Sequence, residues 1–113
     1  MTRVLFVCSQ NKLRSPSAER LFCGCAGIEV ASAGLNHDAE VPLTAELVEW
    51  ADTIFVMEKA HGNKLRAKFR AQLKHQNIIC LNIPDQFEYM DPALLRILQD
   101  RVPRHVPALR KAP

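Results

Sequence analysis

The sequence predicts an α/β protein built on a parallel sheet with helices on both faces. Three observations lead there. Three short apolar runs, Val4-Leu5-Phe6-Val7, Ile54-Phe55-Val56 and Ile78-Ile79-Cys80-Leu81, have the length and character of buried parallel strands, and residues 28–32 read as a fourth strand. Segments with helical spacing of apolar residues separate them, giving the order βαβαβαβα, which implies right-handed crossovers. A length of 113 residues with 48% hydrophobic and 24% charged residues suits one small globular domain spanning 1–113.

The first strand is expected at 3–7. The first helix should run over about 16–26 and stop at Gly27, with Ala18, Leu21, Phe22 and Cys25 at helical spacing. Ser15 is placed to cap it, Pro16 suits its first position and Glu19 its first turn. Strand two covers 28–32, closed by Ala33-Gly34, and polar residues 36–41 read as a loop. Pro42 and Thr44 open a second helix that reaches Ala51, and strand three follows at 53–57. A third helix begins near Glu58 or Lys59 and extends to about Leu73. Gly62 near its start costs up to ~1 kcal/mol against alanine. Arg66, Lys68, Arg70 and Lys74 mark its wet, basic side. Strand four is 77–81, a loop spans 82–90, and Asp91-Pro92 starts a last helix through about Val102. Pro103 and Pro107 disturb what comes after. The tail 104–113 is expected either to form a short helical turn or to fray.

Chemistry concentrates after the first strand, in Cys8-Ser9-Gln10-Asn11-Lys12-Leu13-Arg14-Ser15-Pro16. The bare spacing of a cysteine and an arginine six positions later arises by chance about one time in three in this composition. Its context is what counts, because a strand enters the loop and a helix leaves it, where open parallel sheets bind ligands. Loop amides and the positive end of a helix converge there on an anion, with a guanidinium beside them. Cys8 is therefore the candidate nucleophile, reacting as the thiolate. Arg14 is the candidate bidentate phosphate ligand, a geometry lysine does not reproduce. Asn11 suits a left-handed turn that fixes the loop, with Ser32 of the next strand as a weaker support. Lys12 either adds positive potential for incoming anions or points to solvent. Ser15 either caps the helix or donates to the Cys8 thiolate.

The motif at 7–16 with Ala18-Glu19, then Ser32-Ala33-Gly34-Leu35, Ala51-Asp52-Thr53-Ile54-Phe55-Val56-Met57-Glu58 with His61, and Ile83-Pro84-Asp85 occur in that order. In these landmarks the chain resembles the low-molecular-weight protein tyrosine phosphatase family. The resemblance implies a three-layer α/β/α domain of flavodoxin-like, phosphotyrosine phosphatase I-like type, with strand order 2-1-3-4. It implies phosphomonoester hydrolysis, often of phosphotyrosine, through a phosphocysteine on Cys8. Ser9, Gln10, Asn11, Lys12, Leu13 and Arg14 would form the phosphate-binding loop, and Ser15 would donate to the thiolate. No metal or cofactor is implied, and phosphate-like oxyanions should inhibit. Asp85, just beyond strand four, is the candidate acid that protonates the leaving group and then activates water. Asp91 is its rival, but Asp91-Pro92 followed by apolar residues is a strong N-cap signature. Phe87 and Tyr89 are assigned to the mouth of the cleft, the alternative being packing of their loop onto the body. Three departures stand out. Gln10 replaces a glycine, Leu13 replaces a cysteine that in many members protects the nucleophile as a disulfide, and the loop at 36–41 is short where members build a cleft wall.

Other features narrow the partners. A net charge of +3 favours anions slightly, and no basic run with interleaved aromatics points to nucleic acid. The apolar stretches are too short to span a bilayer and no leader pattern opens the chain, so a cytoplasmic enzyme acting on a phosphorylated protein or small phosphomonoester is expected. Cys8, Cys23, Cys25 and Cys80 lack zinc spacing. Apart from Cys8 they read as small buried apolar residues in a reducing compartment. Trp50 reads as core or half-buried, and none of the four histidines as catalytic. The competing functions are an arsenate reductase, which needs relay cysteines near strand four where only Cys80 lies; a phosphocysteine carrier of the sugar-phosphotransferase type, which needs neither Arg14 nor Asp85; and a phosphate- or phosphopeptide-binding module without turnover.

Overall fold

The computed structural model describes residues 2–109. Strands β1 (Thr2–Cys8), β2 (Ile28–Gly34), β3 (Thr53–Val56) and β4 (Asn77–Cys80) alternate with helices α1 (Arg14–Phe22), α2 (Ala45–Trp50), α3 (Lys59–Lys68) and α4 (Pro92–Arg101). All strand pairs are parallel, in the order β2-β1-β3-β4. The chain leaves β1 to one side for β2 and returns to its other side for β3. The carboxyl end of β1, where Cys8 sits, is thus the topological switch point of the sheet.

Alternation along β1 sorts the core into two. Val4, Phe6 and Cys8 face one layer, with Phe22 of α1, Leu94 and Leu98 of α4, and Leu109. Leu5 and Val7 face the other, with Val48 of α2 and Leu65 of α3. Phe6 stacks between Phe22 and Phe55, with ring centroids 5.9 and 5.4 Å away. Every residue from Val4 to Val7 is fully buried, as a central strand covered on both faces requires.

Several boundaries move from those expected. Helix α1 starts earlier, at Arg14, and its N-cap is Leu13 without a side-chain cap, so Ser15 lies inside the first turn and is not the capping residue. It also ends earlier, because Gly24 takes a left-handed φ of 84° two residues after Phe22. Helix α2 begins only at Ala45, capped by the Thr44 hydroxyl accepting from Leu47 N–H at 3.2 Å, and Pro42 lies outside it. Helix α3 stops at Lys68 rather than Leu73. The tail is ordered as 3-10 turns at Val102–Arg104 and Pro107–Leu109, anchored by the fully buried Leu109. The remainder of the 104–113 segment, 110–113, lies outside the described residues. Cys23 is exposed rather than buried, while Cys25 and Cys80 are half-buried. Among the described residues no helix is long and apolar enough to cross a membrane.

Candidate active site

The loop from Cys8 to Arg14 closes around a small cavity of about 150 Å³, lined by Cys8, Ser9, Gln10, Lys12, Leu13, Arg14 and Asp85. Its backbone is aimed from behind. The carbonyls of Cys8, Ser9 and Gln10 accept from the N–H groups of Leu35 (2.9 Å), Asn36 (3.0 Å) and Glu40 (3.0 Å). In a trans peptide the following N–H points the opposite way, so the amides of Ser9, Gln10 and Asn11 face away from residues 35–40. That backing needs close approach at Gly34, which pairs with Cys8 in the sheet. A Cβ there would lie 2.5 Å from Ala39 Cβ and 2.7 Å from Ser9 O. The short 36–41 loop is therefore a brace behind the Cys8–Arg14 loop, and none of its residues lines the cavity.

Asn11 takes a left-handed φ of 56° and is buried. Its Nδ2 donates to Ser15 Oγ at 2.9 Å, and Ser15 Oγ lies 2.9 Å from Cys8 Sγ. Because the hydroxyl oxygen already accepts from Asn11, its hydrogen is free to point at the sulfur. Placing Ser15 in the first turn of α1 rather than at the cap makes this contact available. Ser32 does not support Asn11; its hydroxyl donates to Glu19 Oε1.

Arg14 is 4% exposed at the positive end of α1, where a cation is disfavoured without a counter-charge. Its Nη1 donates to Glu58 Oε2 and to the Ile83 carbonyl, both at 2.7 Å. Both Nη1 hydrogens are thus occupied, and the Nε–Nη2 edge remains as a fork. Asp85 Oδ1 lies 3.8 Å from Nε, and its side chain is 68% exposed. The Arg14 hydrogen bond holds the Glu58 carboxyl below its ordinary 4.5. Asp91 is occupied elsewhere, capping α4 by accepting from Ala93 N–H at 2.9 Å.

Sequence reasoning missed the groups that connect this loop to α3. Buried His61 accepts the Glu58 N–H at Nδ1 (3.1 Å), so its neutral form carries the proton on Nε2, which donates to Ser9 Oγ at 3.0 Å. Burial, with the Arg14 charge second, lowers its pKa from 6.5 and favours that neutral form. Ser17 was also missed. Its hydroxyl donates to Leu13 O and accepts from Met90 N–H at 2.8 Å, docking the 82–90 loop on α1. The spacing Glu58-x-x-His61, a capping box at the start of α3, was the available signal. Nothing local marks Ser17.

Lys12 is exposed and lines the cavity. Phe87 and Tyr89 do not line it. Phe87 packs against the core on the α1–α4 face, and Tyr89, half exposed, borders a separate hollow with Pro16, Glu19, Arg20 and Cys23. The docking of Met90 on Ser17 directs this stretch across α1 instead of over the loop.

No family model matches the chain, and no curated protein matches it by sequence. Solved structures do match its fold. The low-molecular-weight protein tyrosine phosphatase SP-PTP of Streptococcus pyogenes superposes with a TM-score of 0.74 at 18% identity, over 93% of each chain. The tyrosine phosphatase amsI of Erwinia amylovora gives 0.68 at 24% identity, over 97% of this chain and 94% of its own. A mutant of the arginine phosphatase YwlE, with a phosphorylated active-site serine, gives 0.70 at 23% identity, over 96% and 91%. The chain has the fold of the low-molecular-weight phosphatases.

Proposed function

We propose that the protein is a cysteine-dependent phosphatase of the low-molecular-weight type, hydrolysing phosphate monoesters. The observation that carries this reading is that Cys8, Arg14 and Asp85 line one cavity, with the Nε–Nη2 edge of Arg14 left open by its other contacts and the Ser15 hydroxyl behind the sulfur at 2.9 Å. A phosphoryl group in that cavity meets the loop amides and the guanidinium fork at the positive end of α1. The thiolate attacks phosphorus, forming the S–P bond as the ester P–O bond breaks. Asp85 passes its proton to the departing oxygen. Asp85, now a carboxylate, takes a proton from water, whose oxygen attacks phosphorus. The S–P bond breaks, and inorganic phosphate leaves with Cys8 restored as thiolate. The Ser15 hydrogen bond stabilises the sulfur anion in both steps, and Arg14 holds the equatorial oxygens as their charge redistributes. The phosphorylated active-site residue of the YwlE mutant is in keeping with such an intermediate.

The decisive experiment is hydrolysis of para-nitrophenyl phosphate. Vanadate-sensitive turnover lost in Cys8→Ser is expected, as is protection of Cys8 from iodoacetate by phosphate. Phosphate protection without any turnover would instead make the protein a binding module.

A further inference from the structure

The catalytic cavity is too small and too bare to read more than a phosphoryl group. Its lining is the anion loop and Asp85, with no aromatic wall. Discrimination among substrates therefore falls to the surface around it. That surface is strongly asymmetric in charge. Residues 59–84 contain six Lys and Arg and no Asp or Glu, whereas the rest of the chain has nine basic residues against twelve acidic. The net positive charge of the protein thus comes entirely from α3 and the segment after it. All six basic side chains are exposed, and among the described residues none has a carboxylate within 4.0 Å.

The same face is grooved. One hollow of about 340 Å³ has a floor that includes Val56, Ile78 and Cys80, with Lys59 and Arg66 among its lining residues. A second, of about 450 Å³, is lined in part by Ala67, Arg70 and Leu73. They share Asn63 and Arg66 and so form one trough along α3. The trough begins beside the active site. Lys59 and Gly62 flank the turn whose Glu58 holds Arg14 and whose His61 holds Ser9.

On the premise that Cys8 performs phosphoryl transfer, we propose that this trough docks an acidic polypeptide segment of a phosphorylated protein substrate. Carboxylates of the segment meet the unpaired cations, and an apolar side chain between them fills the floor. A polypeptide fits better than a nucleic acid, because no aromatic side chain lines either hollow for bases to stack on.

The test compares two phosphotyrosine peptides differing only in flanking residues, acidic in one and Asn/Gln in the other, with para-nitrophenyl phosphate as reference. The wild type should favour the acidic peptide in kcat/KM by roughly tenfold, as expected for a few partly screened ion pairs. That preference should shrink at 0.5 M salt. The double variant Arg66→Glu/Arg70→Glu should lose it while keeping para-nitrophenyl phosphate turnover, which also shows that the variant is folded. Equal kcat/KM for the two peptides, or a preference that survives charge reversal, overturns the proposal. Fluorescence anisotropy with the unphosphorylated acidic peptide, and with a single-stranded oligonucleotide as competitor, tests the surface independently of turnover. Absence of turnover with peptide binding intact would refute the phosphatase reading alone. Tighter binding of the oligonucleotide would reassign the face and refute the docking proposal.

Discussion

Replacing Gly34 by alanine should break the site from behind. The added Cβ would stand 2.5 Å from Ala39 Cβ, 2.7 Å from Ser9 O and 2.9 Å from Gln10 C, where carbon contacts settle near ~3.5–4 Å. None of these neighbours is the end of a flexible side chain, so relief requires the brace at 35–40 and the Cys8–Arg14 loop to separate by about 1 Å. Three backbone hydrogen bonds cross that seam, to the carbonyls of Cys8, Ser9 and Gln10. Overpacking costs about 1–3 kcal/mol. Loss of two of the three bonds adds about 1 kcal/mol each. The sum, about 3–5 kcal/mol, corresponds to a fall in Tm of roughly 10–20 °C for a domain of this size. Amides that lose their aim should also weaken oxyanion binding about tenfold, read as loss of vanadate protection against alkylation of Cys8. Gly24→Ala is the control. Its φ of 84° makes alanine strained by about 1 kcal/mol, but nothing lies within 4 Å and the site is remote. If Gly34→Ala melts within ~2 °C of wild type and keeps full vanadate protection, the brace does not aim the loop.

Three further outcomes are expected. Asp85→Asn should slow esters with poor leaving groups far more than para-nitrophenyl phosphate, since only the former need the proton; the same dependence in Asp91→Asn would transfer the acid role to Asp91. His61→Gln should change the pH dependence of stability. His61 has its folded pKa below 6.5, so the unfolded chain binds the proton more readily; its contribution is full above 6.5 and is lost as pH falls from there through the lowered value. Urea midpoints between pH 7.5 and 5 should therefore fall more steeply in wild type than in the variant, and parallel curves would contradict the buried neutral assignment. Glu58→Gln keeps a hydrogen-bond acceptor for Arg14 but removes the charge. The carboxylate's stabilisation is present above 4.5 and lost as pH falls through its lower folded value, so the variant should be less stable at pH 7 and the difference should shrink as pH falls below 4.5. A constant difference across that range would show that Glu58 does not respond to Arg14.

The legible parts of the site were those the chain builds locally. An apolar strand running into Cys8 and the helix-opening Ser15-Pro16 place sulfur and guanidinium on one loop, whatever the rest of the chain does, although the helix itself begins two residues earlier, at Arg14. Alternating apolar runs and amphipathic segments sufficed for the layers, and Asp91-Pro92 for its cap. Misplaced ends, such as α1 over-extended past Phe22, came from reading Gly27 as the stop when Gly24 already turns left-handed.

What the sequence alone determined is the βα unit and its chemical groups, because strand, loop and helix N-terminus are set by neighbours along the chain. How those groups are held depends on contacts between segments far apart in the chain. Arg14 is oriented by Glu58 and Ile83, 44 and 69 residues away, Ser9 by His61, 52 away, and the loop amides by the brace after Gly34. Such contacts depend on which strands lie side by side, and the order β2-β1-β3-β4 brings the far segments to the end of β1. Phe87 and Tyr89 likewise lie outside the cavity lining, one against the core and the other beside α1, where the Met90 N–H at the end of the 82–90 loop donates to Ser17.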